Sequence, residues 1–253
     1  MQSPNKPIWF NKPEEEVTEI HVGNVSPHKI MVCTPCHSDT SMHYTQSVLK
    51  FQQQCIQKKI QVSFTLLKSS LVTQGRNLCV AEFLNHKDHY DYLLFIDSDI
   101  DFQSNTIFKM IGADKDIISC PYPMKTFDTD KMWRTMKETN MIKTKDDVLK
   151  SAHVFPLKIG DNELKMEHGV IKVTHAPTGC MLIKRETIEK MIKHHDIETK
   201  RYFGEDFGFC QRWGDMGGEI YIYALDNITH VGDHQYCGRF YDLLENAKPV
   251  DDS

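Results

Sequence analysis

YLLFIDSDIDF, Tyr92 to Phe102, runs five buriable residues straight into three carboxylates at alternate positions, Asp97, Asp99 and Asp101. A short apolar run bounded by polar turn formers reads as a buried strand of a parallel sheet. Charges beside a core are costly unless something compensates them. The acids therefore mark this strand end as a place where a metal ion, another cation or solvent meets the chain. Residues two apart on an extended backbone point the same way, so the three converge if the strand continues through them. A turn at this point would scatter them.

Working outward, the same alternation of strand and helix repeats. KIMVCTP, from Lys29, is a short apolar run closed by a turn signal. MHYTQSVLKFQQQCIQK reads as a helix, with Tyr44, Val48, Leu49, Phe51 and Cys55 near helical spacing. IQVSFTLL is a second strand, and SLVTQGRNLCVAEFLNH a loop opening into a second helix. IFKMIGA makes a short helix after YLLFI, and DIISCPYP a fourth strand stopped by prolines. This rhythm predicts an α/β fold with a mostly parallel central sheet and helices on both faces. In such sheets ligands bind beyond the carboxyl ends of the strands. Three ends here carry turn-forming residues: Thr34–Pro35, the Asp cluster, and Pro121–Tyr122–Pro123.

The flanking segments divide the chain further. Residues 1–28, rich in Pro and Glu, read as an N-terminal arm, 29–245 as a single domain, and 246–253 as a tail. Within the domain, 124–172 is charged, Met-rich and weakly periodic, and is expected to be an insertion over the cleft that includes a hairpin or two short strands. After it come a Gly-containing loop, the apolar strand of TGCMLIK and an amphipathic helix from Arg185. The close is an acidic loop GEDFGF, a helix, the strand EIYIYALD and a His-rich loop, NITHVGDHQYCG.

Composition excludes several function classes. The net charge of -5 argues against nucleic acid as the main partner, because no basic patch dominates. No apolar run approaches the roughly 20 residues that span a bilayer, so no transmembrane segment is expected. The start lacks the basic-then-apolar order of a signal peptide, and a cytoplasmic protein is the expectation. No disulfides are expected of the eight cysteines; several of them, Cys79, Cys120 and Cys180, are expected as free core thiols, and the lone CxxC of Cys33 and Cys36 lacks the second pair that a structural zinc site needs.

Four constellations carry possible chemistry. Hard divalent cations such as Mg²⁺ or Mn²⁺ take one or two carboxylates and leave other positions to substrate phosphates, which suits the Asp cluster. The competing reading is an Asp that caps the following helix or an Asx turn. His230 follows a strand, with His234 four residues on, and a loop can fold either against the Asp cluster as a nitrogen ligand. Glu205 and Asp206, flanked by glycines before a helix, are either helix-start acids or a general base for an acceptor hydroxyl. In QGRNLC, Arg76 offers a planar fork for phosphate or a base carbonyl, Asn77 a partner for base or ribose, and Gly75 makes room.

The order of these parts, with TPC closing the first strand, RN opening the second helix, then IDSDID, TGCMLIKRE, GEDFGFCQRW and THVG, resembles nucleotide-sugar glycosyltransferases of the GT-A fold. Within that family it is similar to the compact enzymes of large DNA viruses and phages. The resemblance runs from Lys29 to Gly238, without the insertion, and a viral origin would place the chain in the host cytosol.

What the resemblance implies is a Rossmann-like sheet and a Mn²⁺ or Mg²⁺ cofactor. Asp97, Ser98 and Asp99 would form the DxD, with Asp99 on the metal and Asp97 on the metal or ribose, and His230 would be a further ligand. Thr34, Pro35, Arg76 and Asn77 would line the nucleotide pocket, with Thr178, Gly179 and Cys180 beside the sugar or acceptor. Asp206, or Glu205, would be the base if the enzyme inverts. The donor would be a nucleotide-sugar, UDP-linked as the first expectation. The acceptor would be a hydroxyl of a glycan, protein or lipid-linked molecule. Asp101 and His234 stay open as alternative ligands. A haloacid-dehalogenase-type phosphatase fits less well, because its DxD closes the first strand and Asp101 stands where Thr or Val is usual. A nucleotidyltransferase would carry a basic loop where TPCHSDTSM has none. An inactive nucleotide- or glycan-binding relative remains a reading that the motifs leave open.

Overall fold

The structure is a computed structural model that describes residues 28–138, 144–160, 164–193 and 205–245. The arm, His28 apart, and the C-terminal tail lie outside the described residues. The chain opens with β1 (Lys29–Cys36), α1 (Met42–Gln57), β2 (Gln61–Lys68), α2 (Val72–Asn85) and β3 (Tyr92–Ile96). β1 lies between β2 and β3 and pairs parallel with both. β3 is buried along its whole length and β1 nearly so, as strands covered on both faces must be. β2 is the exposed edge and shows partial burial instead.

Side chains alternate between two cores, one on each face of the sheet. Leu94 and Ile96 face Phe51 of α1 and Phe108 of α3 (Ser104–Gly112). Leu93 and Phe95 face Cys79 and Phe83 of α2. Helix α1 starts where the Ser41 hydroxyl accepts the Tyr44 amide, and its buried residues Tyr44, Ser47, Phe51 and Cys55 keep a helical period.

The sheet is completed out of sequence order. Its eight strands run β2-β1-β3-β8-β5-β9-β7-β6, with β5 (Ile117–Ser119), β6 (Met166–Glu167), β7 (Val170–Val173), β8 (Cys180–Lys184) and β9 (Ile220–Tyr223). β8 inserts antiparallel between β3 and β5, β9 is parallel to β5, and β7 is antiparallel to β9. Among the described strands, only β7 and β8 therefore run against the common direction. The expected α/β architecture, a mostly parallel sheet flanked by helices, is what the chain adopts. The flanking helices from the second half are α6 (Arg185–Lys193), α7 (Glu205–Asp215) and α8 (Phe240–Glu245).

Two regions depart in part from the sequence expectations. The 124–172 segment carries the expected hairpin, β6 and β7, at the edge of the main sheet, and also two helices that its weak periodicity did not show, α4 (Thr129–Glu138) and α5 (Lys145–Ala152). The expected His-rich loop is an antiparallel hairpin, β10 (Ile228–Val231) and β11 (Gln235–Gly238), which pairs with the two-residue β4 (Ile100–Asp101) in a second, small sheet. Among the described residues no helix is long and apolar enough to cross a membrane.

Candidate active site at the carboxyl end of β3

β3 stops at Ile96, and the chain turns before β4 begins. The Ile100 amide donates to the Asp97 carbonyl (3.1 Å), which closes a turn over Asp97–Ile100. That turn sends the three acids to different partners. Asp97 Oδ1 accepts from Arg76 Nη1 at 3.2 Å. Asp99 Oδ2 lies 2.6 Å from Lys125 Nζ and 3.3 Å from His230 Nε2. Asp101 Oδ1 accepts from the buried Ser47 hydroxyl at 2.5 Å, and the same hydroxyl accepts the Phe102 amide. Asp101 thus ties β4 to α1, away from the other two acids.

The small sheet brings His230 to Asp99. β10 pairs with β4 so that His230 stands opposite Ile100, and the Val231 amide donates to the Asp99 carbonyl (2.8 Å). His230 Nδ1 is 3.1 Å from the Pro123 carbonyl, which can only accept, so this nitrogen carries the hydrogen. Nε2 is thereby presented to Asp99. Its lone pair facing a carboxylate is unfavourable unless a proton or a metal cation stands between them. A histidine held by a backbone carbonyl through one nitrogen and aimed through the other is the arrangement that orients metal ligands. Tyr122 packs edge-on against the imidazole, with centroids 5.1 Å apart. Burial works to raise the Asp99 carboxyl, but hydrogen bonds from His230 and Lys125, with their charges, outweigh it and hold the group below its ordinary value.

The donor set fits one end of a divalent cation site. Asp99 Oδ2 and His230 Nε2 are the residues that would hold it. Among the described residues no group of three or more His, Cys, Asp or Glu side chains converges. The remaining ligands would be phosphate oxygens or water, as is usual for Mg²⁺ and Mn²⁺.

The other expected residues fall around this pair in distinct ways. Arg76, in the first half of α2, packs its guanidinium 5.7 Å from the Phe95 ring centre while it holds Asp97. Gly179 closes on the same carboxylate: its carbonyl accepts the Asp97 amide (2.9 Å), and its amide donates to the Tyr122 hydroxyl (3.2 Å). A Cβ at position 179 would stand 2.3 Å from that hydroxyl and 2.6 Å from Asp97 Oδ2, so only glycine lets the start of β8 approach. Ser98 accepts the Ser41 amide on its carbonyl and so joins the acid turn to the start of α1.

Thr34 is fully buried and its hydroxyl bonds the Tyr44 hydroxyl at 2.6 Å, so it ties β1 to α1. Pro35 packs against Gly75, where an added Cβ would come within 3.1 Å of the Pro35 Cβ. Asn77 lies on the exposed side of α2, away from Gly75 and Cys79. His234 sits in the hairpin turn against Phe127 and Tyr236, with ring centres 5.7 and 4.9 Å away. Its contacts are with that aromatic cluster. Glu205 and Asp206 open α7, where acids suit the helix dipole; their side chains lie outside the described residues. Thr178 and Cys180 are buried on either side of Gly179.

Two residues of the site carried little sequence signal. Tyr122 stood in the Pro-rich strand end that was expected at the cleft, without a role. Lys125 lies just past it and resembles any surface lysine in one dimension.

No protein-family model matches this chain, and no curated protein matches it in sequence. Solved structures do resemble it in backbone. The A197 protein from STIV aligns over 81% of this chain and 86% of its own, at 16% identity and a TM-score of 0.49. The catalytic domain of Drosophila beta1,4galactosyltransferase 7, solved with xylobiose, aligns over 89% of this chain and 82% of its own, at 13% identity and 0.41. A nucleoside-diphosphate-sugar pyrophosphorylase from Vibrio cholerae RC9 aligns over 86% and 79%, at 13% identity and 0.37. The functional reading below rests on this chain's own residues.

Proposed function

We propose that the chain is a divalent-metal-dependent glycosyltransferase that moves a sugar from a nucleotide-diphosphate donor to a hydroxyl acceptor. One observation carries the reading: Asp99 Oδ2 and His230 Nε2 stand 3.3 Å apart at the carboxyl end of a buried strand, with the second imidazole nitrogen anchored on the Pro123 carbonyl. Mn²⁺ or Mg²⁺ held there would stabilise the negative charge that builds on the diphosphate as the sugar–phosphate bond breaks. Asp99 and His230 would hold it. Arg76 and Asp97, paired beside Gly179, border the region where ribose and base would lie. The lack of a β-carbon lets the Gly179 backbone pack directly against the Asp97 carboxylate. Asp206, with Glu205 as the other candidate, would take the acceptor proton in an inverting reaction.

The test is calorimetric binding of UDP, GDP, CDP and dTDP, each with Mn²⁺ and with a chelator, to the native chain and to Asp99→Asn. The expected result is binding of one diphosphate that needs the metal and falls at least about tenfold in the variant, the loss of a contact on the order of 1.4 kcal/mol. Binding that ignores both the chelator and the substitution would remove the metal assignment. Binding of none would leave Asp99 and His230 as a structural pair.

A further inference from the structure

Lys125 makes a short contact that the proposed chemistry does not use. Its ammonium sits 2.6 Å from Asp99 Oδ2, the same oxygen that faces His230 Nε2. The lysine reaches this position along a defined path. Its stem crosses Gly232 in the β10–β11 turn, where an added Cβ would come 3.1 Å from Lys125 Cδ and 3.4 Å from Cε. Its backbone is held nearby, because the Met124 amide donates to the Val154 carbonyl (2.8 Å) and the Pro123 carbonyl anchors His230. The segment Pro123–Lys125 therefore delivers to Asp99 both an oriented imidazole and a competing cation.

We infer that Lys125 couples metal binding to diphosphate binding by competing with the metal for Asp99 Oδ2. This inference rests on the metal-dependent reading above. A divalent ion that takes this oxygen must displace the ammonium, so the ion alone binds at the cost of a broken ion pair. A lysine ammonium is a compact charge on a flexible stem, and a diphosphate arriving with the metal offers it a new anionic partner beside the old one. Metal and nucleotide then bind more tightly together than the product of their separate affinities. Because coupling is reciprocal, each ligand tightens the other by the same factor. The site would thus hold little metal until the donor is present.

The experiment titrates Mn²⁺ into the native chain, Lys125→Met, Lys125→Arg and Asp99→Asn, reading free Mn²⁺ by electron paramagnetic resonance. Each titration is repeated with UDP, GDP, CDP and dTDP. Lys125→Met is expected to bind Mn²⁺ alone on the order of tenfold more tightly than the native chain, within the range of linked sites. In that variant the nucleoside diphosphate that tightens Mn²⁺ on the native chain should tighten it by a smaller factor. Lys125→Arg keeps the charge and should stay near the native affinity. Lys125→Met binding Mn²⁺ no more tightly than the native chain, while Asp99→Asn loses it, would overturn the coupling and leave the metal site standing. Mn²⁺ affinity indifferent to Asp99→Asn would remove the metal reading and this inference together.

Discussion

At the scale of single residues, the acids after β3 differ in job although they alternate evenly in sequence. The turn that begins at Asp97 assigns one to Arg76, one to Lys125 and His230, and one to Ser47. Gly179 shows how little room is left around them. Gly179→Ala would drive a methyl group into the Tyr122 hydroxyl and Asp97 Oδ2. Overpacking of this kind costs about 1–3 kcal/mol. The variant is expected to melt several degrees lower by calorimetry and to bind nucleoside diphosphate more weakly. An unchanged melting temperature would mean that the strand start relaxes freely. Asp99 and His230 were legible as an acid and a nitrogen ligand able to meet. Their actual approach was not, because it depends on a strand pairing across more than half the chain. Lys125 was illegible because its side-chain contact with Asp99 spans 26 residues and no local pattern marks it.

At the scale of elements, local chemistry explains the hairpins. β6 and β7 are joined by His168 and Gly169, both at positive φ (50° and 82°), as a two-residue hairpin turn of the primed kind requires. An added Cβ at Gly169 would also lie 2.6 Å from Leu225 Cδ1 and 2.9 Å from Tyr223 Cε2. Gly169→Ala therefore combines backbone strain with a clash in the core. We expect a loss of about 1–3 kcal/mol in urea unfolding, whereas His168→Asn, which tolerates the same backbone, should lie close to the native chain. The β10–β11 hairpin was read from sequence as a loop because its strands are short and half exposed. Its alternation shows only once β4 supplies a partner.

At the scale of the whole molecule, the segment 124–172 is bonded into the domain at both ends. Phe127 stacks on His153 at 5.6 Å and also meets His234 and Tyr236 of the hairpin, so the end of α5 and the small sheet share one aromatic cluster. Burial pushes the His153 imidazole below its ordinary value, with help from Lys131 and His234 and opposition from Asp242. The unfolded chain then binds the proton first on acidification, so its stabilising contribution is complete above about pH 6.5 and is lost as pH falls from there to the lower folded value. His153→Phe, which keeps a ring against Phe127, should flatten the fall in melting temperature between pH 7.5 and 5.5. An identical fall in both proteins would place the pH dependence elsewhere.

The sequence alone determined the parallel half of the sheet and its helices. Apolar runs and helical periods are local properties, set by which side chains a short stretch must bury, and YLLFI, KIMVC and the α1 pattern needed no partner to be read. It also determined that acids, glycine and proline gather at the carboxyl ends of strands, the edge where sheets of this kind bind ligands. Only the tertiary structure decided that β8 slips antiparallel between β3 and β5, that the acid turn splits its three carboxylates, and that Pro123, Lys125 and His230 meet at Asp99. Those outcomes are contacts between residues far apart in the chain. Their free energy comes from burial and charge pairing that exist only after the chain has closed on itself, so no short window of residues contains them.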